Sequence, residues 1–283
     1  FGVFAQSVGG GGGAAGASAG LVAIGASGGN AAPGSTTTLS NSGTITLGGT
    51  SSIGLYAQSV GGGGGSGGLA VGTVAIGGSG GNGGDGAAVS AQNSGAIYTG
   101  CTTLTTSGSC SNQAITSNTN GGAFGILAQS VGGGGGVGGM GISASVGSPV
   151  SLAMGGSGGD GGDGSQVVAA NSGTIMTVEP NSSAILAQSI GGGGGILREH
   201  LLNFDQSQTS VALMLGGVGS TTGNSGDVTV ENGSSAASDA KTIVTNGSSS
   251  IGVLAQSIGG GGGFGILTQA TSGYGGSMDL ALI

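Results

Sequence analysis

The sequence predicts an all-β protein, a parallel β-solenoid in which repeated units stack on one another. Three observations carry this. A run of five glycines recurs at constant length, other landmarks recur around it at fixed spacing, and short Val/Ile/Thr runs alternate with Gly, Asn and Ser. Fixed spacing, with extra length confined to a few places, marks stacked structural units. A flexible glycine linker tolerates drift in length.

The glycine block reads AQSVGGGGG or AQSIGGGGG, and its copies start near residues 5, 57, 128, 187 and 255. The second landmark is a Ser-Gly pair at Ser27, Ser79, Ser157 and Ser225. The third is an isoleucine, Ile45, Ile97, Ile175 or Ile243, preceded by NSG in three units and by SDA at 238–240 in the fourth. The step from that Ser to that Ile is 18 residues in all four units, and the basic unit is 52 residues. Extra length falls at about 99–119, around two cysteines, and after glycine runs, most of it at 196–210. The whole chain, 1–283, reads as one repetitive segment.

Helix is disfavoured because Gly, Ser, Thr and Asn dominate and no heptad period exists. The short Val/Ile/Thr runs bounded by turn residues read as strands. A unit would hold three rungs of about 17 residues or two of about 26, giving a rod roughly 50–80 Å long at ~4.8 Å per rung. In the AQS strand, period-2 alternation puts Val3, Leu55, Ile126, Ile185 and Val253 on one face, together with the Ala of AQS. The other face carries Phe4, Tyr56, Leu127, Leu186 and Leu254, then Gln6, Gln58, Gln129, Gln188 and Gln256. Two apolar faces predict cover on both sides. The glutamines need partners for their amides. Neighbouring glycine backbone is the expected supplier, with water at a rim as the alternative. The glycine runs are expected to be ordered, serving either a positive φ or close backbone approach.

Composition narrows the function. Of 283 residues 76 are Gly, only 4% are charged, and ten acids against Arg198 and Lys241 leave a net charge of −8. Disorder goes with low hydropathy and high net charge, whereas mean hydropathy here is positive. No basic face exists for nucleic acid or anionic lipid. No apolar run reaches the ~18 residues of a membrane helix, and no signal peptide is present.

At Gly54–Gly65, Ser79–Gly86 and Val89–Thr99 the text is GI-x-AQS-[VI]-GGGGG, SGG-[ND]-GG-D-G and V-x-A-x-NSG-x-I-x-T. In these motifs the chain resembles the glycine-rich repeat passengers of autotransporter (type V secretion) proteins, over nearly its whole length. The resemblance implies a right-handed parallel β-helix, export across the outer membrane, and a role as adhesin or surface fibre. Membrane attachment would come from a translocator barrel outside this segment.

Candidate chemistry is sparse. Gly80–Gly86 and residues 157–164 approach a calcium-binding nonapeptide, with Asp85, Asp160 and Asp163 as ligands. Calcium needs six to eight oxygens, so the alternative is a turn in which Asp and Asn bond local backbone. No Lys follows a glycine run, so no phosphate loop forms. Cys101 and Cys110 are too few for a metal site. They fit a disulfide across a short loop and an oxidising compartment, with two buried free thiols as the alternative. Residues 196–208 hold Arg198, Glu199, His200 and Asp205. A catalytic His–acid pair is the sharp reading; an insertion loop with one helical turn is the expectation. The chain therefore reads as a non-enzymatic structural and adhesive segment of an extracellular surface fibre, without cofactors. It would self-associate, and a cell-surface ligand would bind its insertion loops. The alternatives are a calcium-dependent binding module and a stalk for an enzyme elsewhere in the full chain.

Overall fold

A strand rich in Val, Ile and Ala with a glycine-rich flank can hydrogen-bond only to another strand, and here each unit bonds to the same strand of the next. The computed structural model describes residues 1–101, 103–104, 110–111, 121–143, 150–203, 211–233, 242–271 and 278–282. Among these residues there is no helix, and all pairs of strands but one are parallel. The AQS strands Val3–Val8, Ile53–Val60, Phe124–Val131, Ser183–Ile190 and Ile251–Ile258 form one sheet in chain order. Strands ending in the Asn of NSG form a second: Thr37–Asn41, Val89–Asn93, Val167–Asn171 and Val228–Asn232. Thr44–Leu47, Ala96–Thr99, Thr174–Thr177 and Ile243–Thr245 form a third.

Val3 pairs with Leu55 and Ala5 with Ala57, so the stacking step is the whole 52-residue unit and not 17 or 26 residues. Each unit is one broad rung. Five rungs at ~4.8 Å stack to about 20 Å, so the expected 50–80 Å rod is replaced by a short, wide slab. Register also corrects the landmarks. Val167 pairs with Val228, Asn171 with Asn232 and Ile175 with Ile243. The counterpart of Ser157 is therefore Val218 and not Ser225, and Asn232 replaces the SDA at 238–240. The 18-residue step in the fourth unit joined inequivalent positions, because its extra residues are split between two sites.

The three sheets enclose one apolar column. Leu55 and Ala57, Val89 and Ala91, and Ile97 meet within a rung, and their equivalents stack above and below. Leu55, Ile126 and Ile185 are fully buried, each contributing about 1.5–3 kcal/mol. At the far end of the rung a small cluster of Ala23, Ala70 and Ala75 packs where the chain turns back.

Between these two cores lies the glycine-rich part, and it is ordered by hydrogen bonds at every third residue. Gly61, Gly64 and Gly67 donate N–H to the carbonyls of Val131, Gly134 and Val137 in the next rung. The returning segment does the same through Gly77, Gly80, Gly83 and Gly86. Three residues per turn without internal bonds is the geometry of the polyproline II helix. The next residue of each triplet crosses between the outgoing and returning segments: Gly81 donates to Gly65, Gly84 to Gly62, and Gly65 to Gly29 of the previous rung. In the second and third rungs both positions are glycine because of close approach, while the outer rungs carry residues such as Ala15, Ala31, Ala32 and Ser220 there. A methyl carbon on Gly61 or Gly64 would overlap the carbonyl oxygens of Gly84 and Gly81, and one on Gly62 that of Gly10. Positive φ is not the reason, since the described glycines with positive φ are Gly100, Gly122 and Gly233. The third position faces outward, and at Gly63 the nearest atom to an added methyl is 3.9 Å away. The triplet is thus Gly-Gly-x: GGSGGNGGDG at 77–86 and GGSGGDGGDG at 155–164.

Two further expectations change. Residues Ile196–Asn203 form a strand paired with Phe264–Thr271 and not a helical turn. The outer face of the AQS sheet is not fully covered: Phe4 and Val8 are exposed, and Tyr56, Val60 and Val131 half-buried.

Neighbouring glycines should respond oppositely to one methyl group. Gly135→Ala would drive its methyl into the Gly159 carbonyl and is expected to cost about 1–3 kcal/mol or more. Gly134→Ala occupies an outward position and should cost nothing measurable. Thermal melting followed by circular dichroism separates the two; equal melting temperatures would refute the lattice.

Candidate functional site

Repetition converts each polar residue into a ladder. Gln6 donates its amide to Gln58, Gln58 to Gln129, Gln129 to Gln188 and Gln188 to Gln256, at 2.5–3.0 Å. The glutamines therefore bond one another, and not the glycine backbone as expected. The residue that ties the AQS strand to the glycine lattice is the serine. Ser7, Ser59, Ser130 and Ser189 accept the N–H groups of Ser35, Ala87, Ser165 and Gly226 through their hydroxyls, at 2.8–2.9 Å.

The asparagines of NSG do more than precede the isoleucine landmark. Asn41, Asn93, Asn171 and Asn232 form a second amide ladder at 2.7–2.8 Å. Each of the first three also bonds the glycine two residues on, through both its Nδ2 and, at Asn41 and Asn171, its Oδ1. Asn93 and Asn171 are buried, so every side-chain bond is needed. Beside this ladder runs a polar groove of about 390 Å³ lined by Ser40, Gln92, Ser94, Ser172 and Glu231. Its chemistry is hydroxyl and amide, with one carboxylate.

The three aspartates stand at outward positions of the returning segment. Each accepts a backbone N–H from the rung above: Asp85 from Asp163, Asp160 from Thr221, and Asp163 from Asn224. Asn30 and Asn82 play the same part below Asp160. The hydroxyl and N–H of Thr221 hold the Asp160 carboxyl below its usual range. Among the described residues no group of three or more His, Cys, Asp or Glu is placed to hold a metal ion.

Cys101 and Cys110 are joined by a disulfide, Cα–Cα 5.6 Å, at the base of a short antiparallel hairpin, Thr103–Leu104 with Cys110–Ser111. Beside Gly100, where the insertion begins, sits Glu179, fully buried, a residue that sequence reasoning passed over. Its Oε2 accepts the N–H of Ser51, 128 residues away in sequence, at 3.0 Å. The second rung leaves the stack just past Gly100, with the Cys101 N–H still bonded to Leu47; Gly100 has φ +71°, and a side chain there would run into Glu179. A carboxylate thus fills the place of a missing turn. Arg198, Glu199 and His200 lie on the strand Ile196–Asn203 opposite Ile266, Leu267 and Thr268. Asp205 lies outside the described residues, and so does most of 99–119.

No family model, curated protein or solved structure matches this chain.

Burial ranks the two amide ladders. Asn93→Ala would strand the amides of Asn41 and Asn171 and should cost about 2–3 kcal/mol; Gln58→Ala, at the half-exposed ladder, about 1 kcal/mol. Urea denaturation midpoints give the comparison, and equal losses would refute it. The Asp160 ladder has a pH signature. A carboxyl whose folded pKa is depressed adds stability above its unfolded pKa and loses it as pH falls through the folded pKa. Thr221→Val removes the hydroxyl donor, so the Asp160 titration, followed by NMR, should move up toward the ordinary ~3.9. An unmoved titration would show the bond to be idle.

Proposed function

We propose that this chain is a structural and adhesive segment of an extracellular bacterial surface or fibre protein, built as a right-handed parallel β-helix and without enzymatic activity. The observation that carries this reading is the in-register stacking of equivalent rungs. Each rung is covered mainly by its neighbours, so the architecture extends by repetition and offers columns of identical side chains. Function then comes from length, regular surface and resistance to proteolysis. The Cys101–Cys110 disulfide favours an oxidising compartment. The motifs shared with autotransporter passengers favour export, with membrane attachment through a translocator domain elsewhere in the protein. Self-association and a cell-surface ligand are the partners this reading implies. The insertion closed by the disulfide is the place for ligand recognition, because it departs from the repeat and binding residues concentrate on such loops.

The test is protease shaving of intact producing cells, with electron microscopy of the released material. The expected result is release of this segment from intact cells as ordered, protease-resistant particles. Retention inside intact cells, or digestion of the segment to small peptides, would overturn the reading.

A further inference from the structure

The Gly-Gly-x triplet gives the slab two chemically different broad faces. On the returning segments the outward columns of the second rung are Ser79, Asn82 and Asp85, and the third rung adds Asp160 and Asp163. On the outgoing side the outward columns of the second rung are Tyr56, Gln58, Val60, Gly63, Ser66 and Leu69. These belong to one side of the slab. Leu55, Ala57 and Ser59 point inward to the core and the returning segment, and the positions alternating with them point away. No charged residue stands in any of these columns from the first rung through the third. The third rung carries Leu127, Gln129, Val131, Gly134, Val137 and Met140; all are partly exposed except Leu127, which is packed among its column neighbours.

We infer that this uncharged face is a self-association surface, and that its occupant is the same face of a second copy of this chain. The inference names the contact behind the self-association proposed above and rests on that reading. Size supports it. Six strand residues and nine residues of extended helix span roughly 45 Å, and the three uncharged rungs about 14 Å. Two copies face to face would then bury on the order of 1,300 Å², at the lower end of the ~1,200–2,000 Å² of a stable interface. Relief supports it as well. The glycine column at Gly63 and Gly134 is a trough without side chains, flanked by the Val60–Val131 ridge and the Ser66–Val137 ridge. A second copy turned about a two-fold axis in the face sets its valine ridge into that trough. Charge supports the orientation, because the aspartate columns then stay outward in water.

Sedimentation of the purified 283-residue chain across a concentration series tests this. Ser66→Lys with Val137→Lys should raise the dissociation midpoint at least tenfold, with melting temperature reporting that the fold persists. Ser27→Lys, an exposed outward position on the opposite face, should leave it unchanged. Independently of those lysines, a Ser66→Cys chain should form an intermolecular disulfide under mild oxidation, and a Ser27→Cys chain should not. A wild-type chain monomeric at 100-fold above the working range, equal effects of the two faces, or cross-linking through Ser27→Cys would overturn the inference. Co-flotation with neutral lipid vesicles in place of self-association would assign the face to a membrane and overturn it too. Each of these results would leave surface display of the segment to be decided by the shaving experiment.

Discussion

Backbone crowding is the constraint from which the rest of the structure follows. In the inner rungs of the glycine lattice two residues of each triplet sit against carbonyl oxygens of other segments, and a single methyl group there would collide with them. That crowding makes the lattice possible, because it brings every third N–H into bonding range of the next rung and the intervening one into range of the opposing segment. Glycine is entropically costly to order, so hydrogen bonds in a poorly hydrated interior must offset much of that cost. The lattice has no side chains to bury, and its stability depends on neighbours being in register.

Register therefore has to be imposed from outside the lattice. The apolar column at one end and the alanine cluster at the other fix each rung vertically and in depth. The ladders of Gln and Asn add a requirement for identity: an amide bonds best to another amide at the same height, so a slipped rung would lose several bonds at once. Serine at the end of the AQS strand joins the two regimes, since its hydroxyl accepts the N–H that follows the last residue of the returning segment. Where a rung departs from the stack, as at Gly100, a buried carboxylate takes over the backbone's role. The described insertions hang from a continuous scaffold and leave the neighbouring rungs paired across them.

Much of this was legible in the residues. Constant glycine runs signalled order, the alternation in Val3–Val8 identified the inner face, and the parallel stacking of like on like followed from spacing alone. Rung size was not legible, because the length of a rung depends on where the chain turns back, and glycine-rich text carries no turn signal distinct from its extended path. The fourth unit misled for a related reason. Its Ser225-Gly226 matches the landmark chemically, but only pairing of Val167 with Val228 reveals its true height. The partners of Gln58 were missed because a single strand does not show that its neighbour carries the same residue at the same level. The asparagine of NSG was visible as a turn former, and its second role needs the stack. The Gly-Gly-x period lay in the open at 77–86, and only the three-fold hydrogen bonding explains why it matters.

That period also determines where function can reside. In the second and third rungs two-thirds of the lattice is held to glycine by contact, so there a partner can be met only by the third position and by the insertions. In the second and third rungs the third positions of the outgoing segment are Gly, Ser, Leu, Val and Met, and those of the returning segment are Ser, Asn and Asp; the fourth rung places the exposed Val218 on the returning side. The two segments meet the same steric demand and share the same hydrogen-bond scheme, so the lattice itself does not require this difference. The aspartates and asparagines have local employment as acceptors for the rung above. Val137 and Met140 have no comparable intramolecular bond to make, and they lie partly exposed on a surface where serine would serve the lattice equally well. An apolar column kept in water by a fold that does not need it is best explained by something that covers it.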